Sequence, residues 1–158
     1  NTSNMPPDID IIPYTTELKE HIKTLNYEWL EKWFQVEPGD ARSLCNPQTE
    51  IIDKGGVIYY ARWKGEIIGT ASLLFVAEGI YELGKMAVTS KAQGLGIGTL
   101  LLEHCISVAQ EMGAHKMVLY SNTKLQTAIR LYRKYGFTEC TLEPGLYERA
   151  DIKMERPL

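Results

Sequence analysis

Apolar residues recur along the chain with two different periods, and each change of period marks a new element. From Ile9 to Tyr14 a short apolar run is interrupted by Pro13. That predicts a first strand near a sheet edge, because proline cannot donate to a ladder. Leu18, Ile22, Leu25, Trp29 and Trp33 then follow helical spacing, with Thr15 or Thr16 in place to cap the helix, until Pro38-Gly39 breaks it. Asp40 is expected to cap a short helical turn through Leu44. Asn46 is expected to cap a second, with Pro47 at its first position, Glu50 in its first turn, Lys54 in its last and Gly55 just after it. Residues 29–52 thus read as a helical excursion between the first two strands.

The period then shortens. Val57 to Trp63, Glu66 to Val76 and Ile80 to Val88 are predicted strands, separated by turns at Lys64-Gly65 and Glu78-Gly79. Together they predict an antiparallel meander. Its last strand runs into Thr89-Ser90-Lys91-Ala92 and the glycine-rich Gln93-Gly94-Leu95-Gly96-Ile97-Gly98. Apolar residues recur beyond it at Ile97, Leu101, Cys105, Val108 and Met112, and Gly113 sits where a helix-ending glycine belongs. Strand, glycine loop and helix therefore follow one another.

Lys116 to Tyr120 reads as a strand parallel to the one before the helix. Leu125, Ala128, Ile129 and Tyr132 form one helix face, ended by Gly136. Phe137 to Leu142 and Tyr147 to Met154 are the last two predicted strands, joined through Pro144-Gly145. The fold class is α/β (α+β): a mixed, mostly antiparallel sheet of about seven strands with helices on both faces. Residues 1–7, small and polar before Pro6-Pro7, are predicted to be a disordered tail, and 8–158 a single domain.

Composition narrows the function classes. The 158 residues carry 17 basic and 20 acidic side chains, for a net charge of −3, without a basic cluster. Nucleic acid and anionic membrane are not expected partners. No apolar run approaches the ~20 residues of a membrane span, and no secretory leader is visible, with Met5 a candidate start. Cys45, Cys105 and Cys140 are odd in number and fit no zinc spacing. Free thiols and a cytoplasmic location are expected, with no metal. His21, His104 and His115 are scattered and suggest no ligand set.

The glycine loop carries the chemistry. A helix start leaves backbone N–H groups without partners, and glycines let a phosphate approach them closely. A diphosphate fits over Gly94 to Thr99. The loop is not a P-loop, since Gly98 is followed by Thr99-Leu100, and Thr99 and Leu101 spoil both registers of the dinucleotide fingerprint. What it does contain is Gln-x-x-Gly-x-Gly at Gln93, Gly96 and Gly98. Downstream, Ala128 to Phe137 reads Ala-x-x-x-Tyr-x-x-x-Gly-Phe. Both motifs, and the order of elements over nearly the whole chain, resemble the GNAT N-acetyltransferase superfamily.

That resemblance implies an enzyme moving the acetyl group of acetyl-CoA to a primary amine by direct attack in a ternary complex. Acetyl-CoA would bind at Met86, Ala87, Val88, Gln93, Gly94, Leu95, Gly96, Ile97, Gly98, Thr99, Ala128 and Tyr132, between the strands ending at Val88 and Tyr120. Tyr132 matches the tyrosine that faces the thioester sulfur. Glu82 matches the general-base glutamate, and strand alternation puts it on one face with Gly84, Met86 and Val88 if no bulge intervenes. The sequence departs from the family pattern at Leu125, where an asparagine is common. Asn122, three residues earlier, is either a helix cap or a contact to the pantetheine arm. The implied partners are a small-molecule or peptide amine and, as a homodimer, a second copy of the chain. Trp29, Trp33, Tyr59, Tyr60, Tyr147 and Arg149 are acceptor-side candidates by position. Two other readings stand beside this one: a non-catalytic acyl-CoA sensor on the same fold, and a phosphate or nucleotide module using the glycine loop alone.

Overall fold

The computed structural model describes residues 8–158; the predicted tail, residues 1–7, lies outside them. Seven strands form one sheet: β1 (Ile9–Pro13), β2 (Val57–Trp63), β3 (Glu66–Ala77), β4 (Ile80–Val88), β5 (Lys116–Ser121), β6 (Thr138–Cys140) and β7 (Ile152–Pro157). Their order is β1-β2-β3-β4-β5-β7-β6, antiparallel throughout except for β4 beside β5. Helices α1 (Lys19–Trp33) and α2 (Pro38–Cys45) cover one face, and α3 (Ile97–Glu111) and α4 (Gln126–Lys134) the other.

Strand alternation explains the two cores. On β3, Ala71 and Leu73 point into the larger core beside Leu101, Leu102 and Cys105 of α3. Leu74 points the opposite way, toward a smaller core around Ile22, Leu30, Leu44 and Tyr60. A sheet apolar on both faces needs a helical cover on each, and the central meander supplies one.

Two local features open the middle of this sheet. The parallel β4–β5 pairing lasts only three positions, Ile80 with Lys116, Tyr81 with Met117 and Glu82 with Val118. Just beyond it, β4 has one extra residue against β3: Thr70 pairs with Ala87 but Ser72 pairs with Gly84. The extra residue is Lys85, at φ 51°, a left-handed conformation uncommon for a side chain of this kind. A bulge bends its strand and shifts its register by one. Met86 and Val88 therefore face the α3 core, whereas Glu82 and Gly84 face α1 and α2. The expected common face for the four residues does not exist, and the bulge is the reason.

Other boundaries moved. Neither Thr15 nor Thr16 caps a helix with its side chain. Glu37, not Asp40, precedes α2, with Pro38 in its first turn and Asp40 accepting the Glu37 amide at 3.0 Å. Asn46 stands between α2 and the next turn. Its side chain donates to the Arg42 carbonyl, closing α2. Its carbonyl accepts the Glu50 amide at 2.9 Å, opening that turn without a side-chain cap. The last two strands are shorter and later than predicted, because residues 141–151 leave the sheet and cross the α2 side.

Candidate active site

Where β4 and β5 part, a cleft of about 730 Å3 runs between them. Its two walls come from opposite faces of the sheet.

The first wall is the end of β4, the glycine loop and the starts of α3 and α4. Gly94 and Gly96 have φ of 85° and 78°, where a Cβ would be strained. Gly96 leads into α3 with no side-chain cap, so the first-turn amides of Ile97, Gly98 and Thr99 have no intrahelical acceptor. Gly98 has room for a small side chain: a Cβ there would meet Met86 Cε at 3.6 Å and Leu131 Cδ2 at 3.9 Å, both ordinary contacts. Tyr132 reaches the cleft from α4, its ring edge-on to Phe137 with centroids 5.9 Å apart. Burial pushes the Tyr132 phenol up to about 12.

The second wall is the end of α1, the Glu82 side of β4 and residues 147–150, braced from behind by α2. Glu82 is only 7% exposed and accepts a hydrogen bond of 2.9 Å from the Tyr147 hydroxyl. Burial raises the Glu82 carboxyl above the ordinary glutamate value, outweighing the pull of Tyr147, Lys85 and Arg149 in the other direction. Around it lies an ion network. Arg149 donates to Asp40 twice, at 2.6 and 2.9 Å, and to Glu37 at 3.1 Å. Lys85 Nζ is 3.5 Å from Asp40 and 5.1 Å from the Tyr147 ring centre. Burial alone would raise the Asp40 carboxyl; hydrogen bonds from Arg149 and the Glu37 amide, with the Lys85 charge, hold it below the ordinary value. Burial lowers the Lys85 ammonium against the pull of Asp40 and Glu82.

The strained bulge is held from outside. Asn26 of α1 is buried and donates one amide hydrogen to the Lys85 carbonyl at 3.0 Å and another to Ile22 at 2.9 Å. Its own oxygen accepts the Trp29 indole at 3.1 Å.

Most of the residues named from the sequence line this one cleft: Glu82, Met86, Ala87, Val88, Gln93, Gly94, Gly96, Ile97, Gly98, Thr99, Asn122, Ala128 and Tyr132. Leu95 is the exception, its side chain packed against the larger core. Asn122 is not a helix cap, since α4 starts four residues later. It accepts from the Lys124 amide and donates to the Arg149 carbonyl at 2.7 Å, tying β5 to the crossing segment. Trp29, Trp33, Tyr147 and Arg149 reach the cleft. Tyr60 is a core residue bonded to the Leu18 carbonyl, and Tyr59 meets His104 edge-on on the α3 side. Asn26, Glu37, Asp40 and Lys85 were missed. Glu37-Pro38-x-Asp40 carries the pattern of a capped helix start, but nothing local marks Lys85 as a bulge.

Residues 18–137 match the acetyltransferase (GNAT) family. The chain belongs to that family. Among relatives, an uncharacterised N-acetyltransferase of Schizosaccharomyces pombe is 31% identical over 103 residues, 64% of this chain and 62% of that protein. The chain thus spans less than two thirds of that relative. A GNAT acetyltransferase from Staphylococcus aureus Mu50 shares the fold with a TM-score of 0.85 at 23% identity, over 94% of this chain and 98% of the other. A GNAT acetyltransferase from Elizabethkingia anophelis, solved with acetyl-CoA bound, aligns with a TM-score of 0.64 at 25% identity, over 97% of this chain and 100% of the other.

Proposed function

We propose that this chain is an acetyl-CoA-dependent N-acetyltransferase acting on a primary amine by direct attack. The observation that carries the reading is the opening past the Glu82–Val118 pair, which puts the glycine loop and Glu82 on two sides of one cleft.

The residues present fit acetyl-CoA. The Ile97, Gly98 and Thr99 amides can take its diphosphate, with the helix dipole adding to the attraction. Beyond Glu82 the edge of β4 facing β5 is unpaired, so Met86 and Val88 can hold the amides of an extended arm as an added strand would. When bound, acetyl-CoA supplies an activated acetyl thioester.

Glu82 orients the amine and takes its proton. An alkyl ammonium near 10.4 and a glutamate near 4.3 are roughly six pH units apart, and burial of Glu82 narrows that gap. Tyr132 holds its proton and offers it as a hydrogen bond to the leaving sulfur. With the phenol up to about 12 and a thiol near 8.5, outright transfer would be uphill by roughly 3.5 pH units, about 5 kcal/mol. The presence of both side chains in the cleft favours catalysis over a sensor role.

The test is a melting curve followed by an activity assay. Acetyl-CoA at a hundredfold excess over its Kd should stabilise the protein by about 2.7 kcal/mol, and ATP by much less. CoA release should then depend on added amine. Equal stabilisation by ATP and acetyl-CoA would remove the assignment.

A further inference from the structure

The acceptor side of the cleft has an uneven chemistry. Its aromatic residues are Trp29, Trp33, Phe34 and Tyr147. Trp29 is fixed by its bond to Asn26 and by an edge contact with Phe34, centroids 6.1 Å apart. Trp33 is 50% exposed, an apolar surface at the cleft mouth that the fold itself does not cover.

The charges are already committed to one another. Glu37, Asp40 and Glu82 stand against Lys85 and Arg149, which leaves one negative charge in the interior. Arg149 spends its guanidinium on Asp40 and Glu37, and Lys85 sits on Asp40. Three of the five Arg149 N–H donors and the Lys85 ammonium are thus engaged by acids, and a carboxylate beside the reacting nitrogen would meet Glu82. Toward the mouth Lys124 lines the cleft 4.7 Å from the Phe34 ring centre, and Lys32, outside the lining, lies 5.4 Å from the Trp33 ring centre. A long acceptor with further ammonium groups would run past these two lysines.

We infer that the acceptor is a primary monoamine carrying an aromatic or apolar group, with no carboxylate next to the reacting nitrogen and no second cation. Its ammonium is held by Glu82 and its ring lies among Trp29, Trp33 and Phe34. This rests on the acetyltransferase reading above. It deepens it by naming the acceptor class.

Three probes isolate the two exclusions. Phenylalanine is 2-phenylethylamine with a carboxylate added beside the nitrogen, and spermidine replaces the ring by further cations. With acetyl-CoA saturating, CoA release should show a kcat/KM for 2-phenylethylamine at least about tenfold above each of the others, since one like-charge contact is enough for that ratio. Trp33→Ala, a change at a half-exposed site, should raise the KM for 2-phenylethylamine about fivefold with little change in kcat. The thermal shift with acetyl-CoA should be unaltered. A kcat/KM for phenylalanine or spermidine equal to or above that of 2-phenylethylamine would overturn the acceptor class, as would an unchanged KM in Trp33→Ala. Stabilisation by acetyl-CoA without acetylation of 2-phenylethylamine would also overturn it while leaving the cofactor reading intact. Absence of any acetyl-CoA shift or any amine-dependent CoA release would instead remove the parent reading, and this inference with it.

Discussion

The wall made by the glycine loop, α3 and α4 is held by apolar packing, whereas the wall that α2 braces through residues 147–150 is held by ions. On the first, Ala92, Ile97, Leu101 and Ile129 are buried in one core, and what faces the cleft is the glycine-loop backbone with uncharged side chains such as Met86, Leu131 and Tyr132. On the second, Asp40, fully buried at its side chain, gathers Arg149 and Lys85, and Glu37 anchors the amides of Glu148 and Arg149. Packing is nondirectional and tolerates many sequences, so a wall of this kind can present the same backbone surface in many proteins. Directed ion pairs and hydrogen bonds fix particular side chains, so the second wall holds Tyr147 and Arg149 in set positions. The family match ends at residue 137, before Tyr147 and Arg149, which lie in the ion-held wall.

The largest expected effect breaks the ion-held wall. Asp40→Ala would leave Arg149 and Lys85 buried without their shared partner, a loss of about 3–5 kcal/mol in denaturant unfolding. Its pH dependence has a definite sign. The Asp40 carboxyl is lowered in the folded state, so its contribution is present above its ordinary value of 3.8 and is lost as pH falls through the lower folded value. Acid unfolding of the wild type should therefore carry a component that Asp40→Asn lacks. A loss under 1 kcal/mol in Asp40→Ala would mean the network adds little to the fold.

Glu82→Gln keeps shape and a hydrogen-bond acceptor for Tyr147 but removes the base, and kcat should fall by ~10²–10⁴. The wild-type kcat/KM profile should have an acid limb above the ordinary glutamate value, because Glu82 is raised and must be ionised to act. The same raised value means Glu82 favours the fold when protonated and loses that contribution as pH climbs through it. Retention of the acid limb in Glu82→Gln would assign it to another group.

On the packed wall, Tyr132→Phe removes only the hydroxyl. A hydrogen bond to a charged group contributes roughly 1.5–3 kcal/mol, so kcat should drop about 10–150-fold with acetyl-CoA affinity within a few-fold of wild type. The shape of the pH profile should not change, as a phenol at about 12 stays protonated across the assay range. Disappearance of an alkaline limb would show a true general acid instead.

Gly98→Val sharpens the contrast with the smallest change. Its Cβ would meet only ordinary contacts with Met86 and Leu131, so unfolding should be little affected. The branched side chain would stand before the first-turn amides, weakening acetyl-CoA by about 2 kcal/mol through lost charge-assisted hydrogen bonds. Calorimetry giving wild-type affinity would show that the diphosphate does not sit there. Gly96 is a poorer test, since its φ of 78° would strain any replacement.

Legibility in the sequence followed the same division. The strand, glycine loop and helix from Ile80 to Glu111 were readable because each has a local signal: alternation, glycines at left-handed turns, and an apolar stripe. Tyr132 was readable from its motif. Of the strand predicted from Tyr147 to Met154, only residues 152–154 lie in β7. Its alternation is real, but the outward pull of Arg149 toward Asp40 and Glu37 and of Tyr147 toward Glu82 takes residues 147–151 off the sheet. Trp33 fell on the predicted apolar stripe of α1 yet is half exposed, because the buried face of that helix runs through Ile22, Leu25, Asn26 and Leu30.

The amino-acid sequence by itself determined the order of strands and helices, the glycine loop and the family to which the chain belongs. Those depend on neighbours within a few residues, through periodicity, turn conformations and unpaired helix amides. Only the tertiary structure decided that Lys85 is a bulge that turns Met86 and Val88 away from Glu82, and that Asp40, Arg149 and Lys85 tie together the side of the cleft opposite the glycine loop. A bulge is defined by the partner strand, and the Asp40–Arg149 pair joins residues 109 positions apart, so neither leaves a local trace.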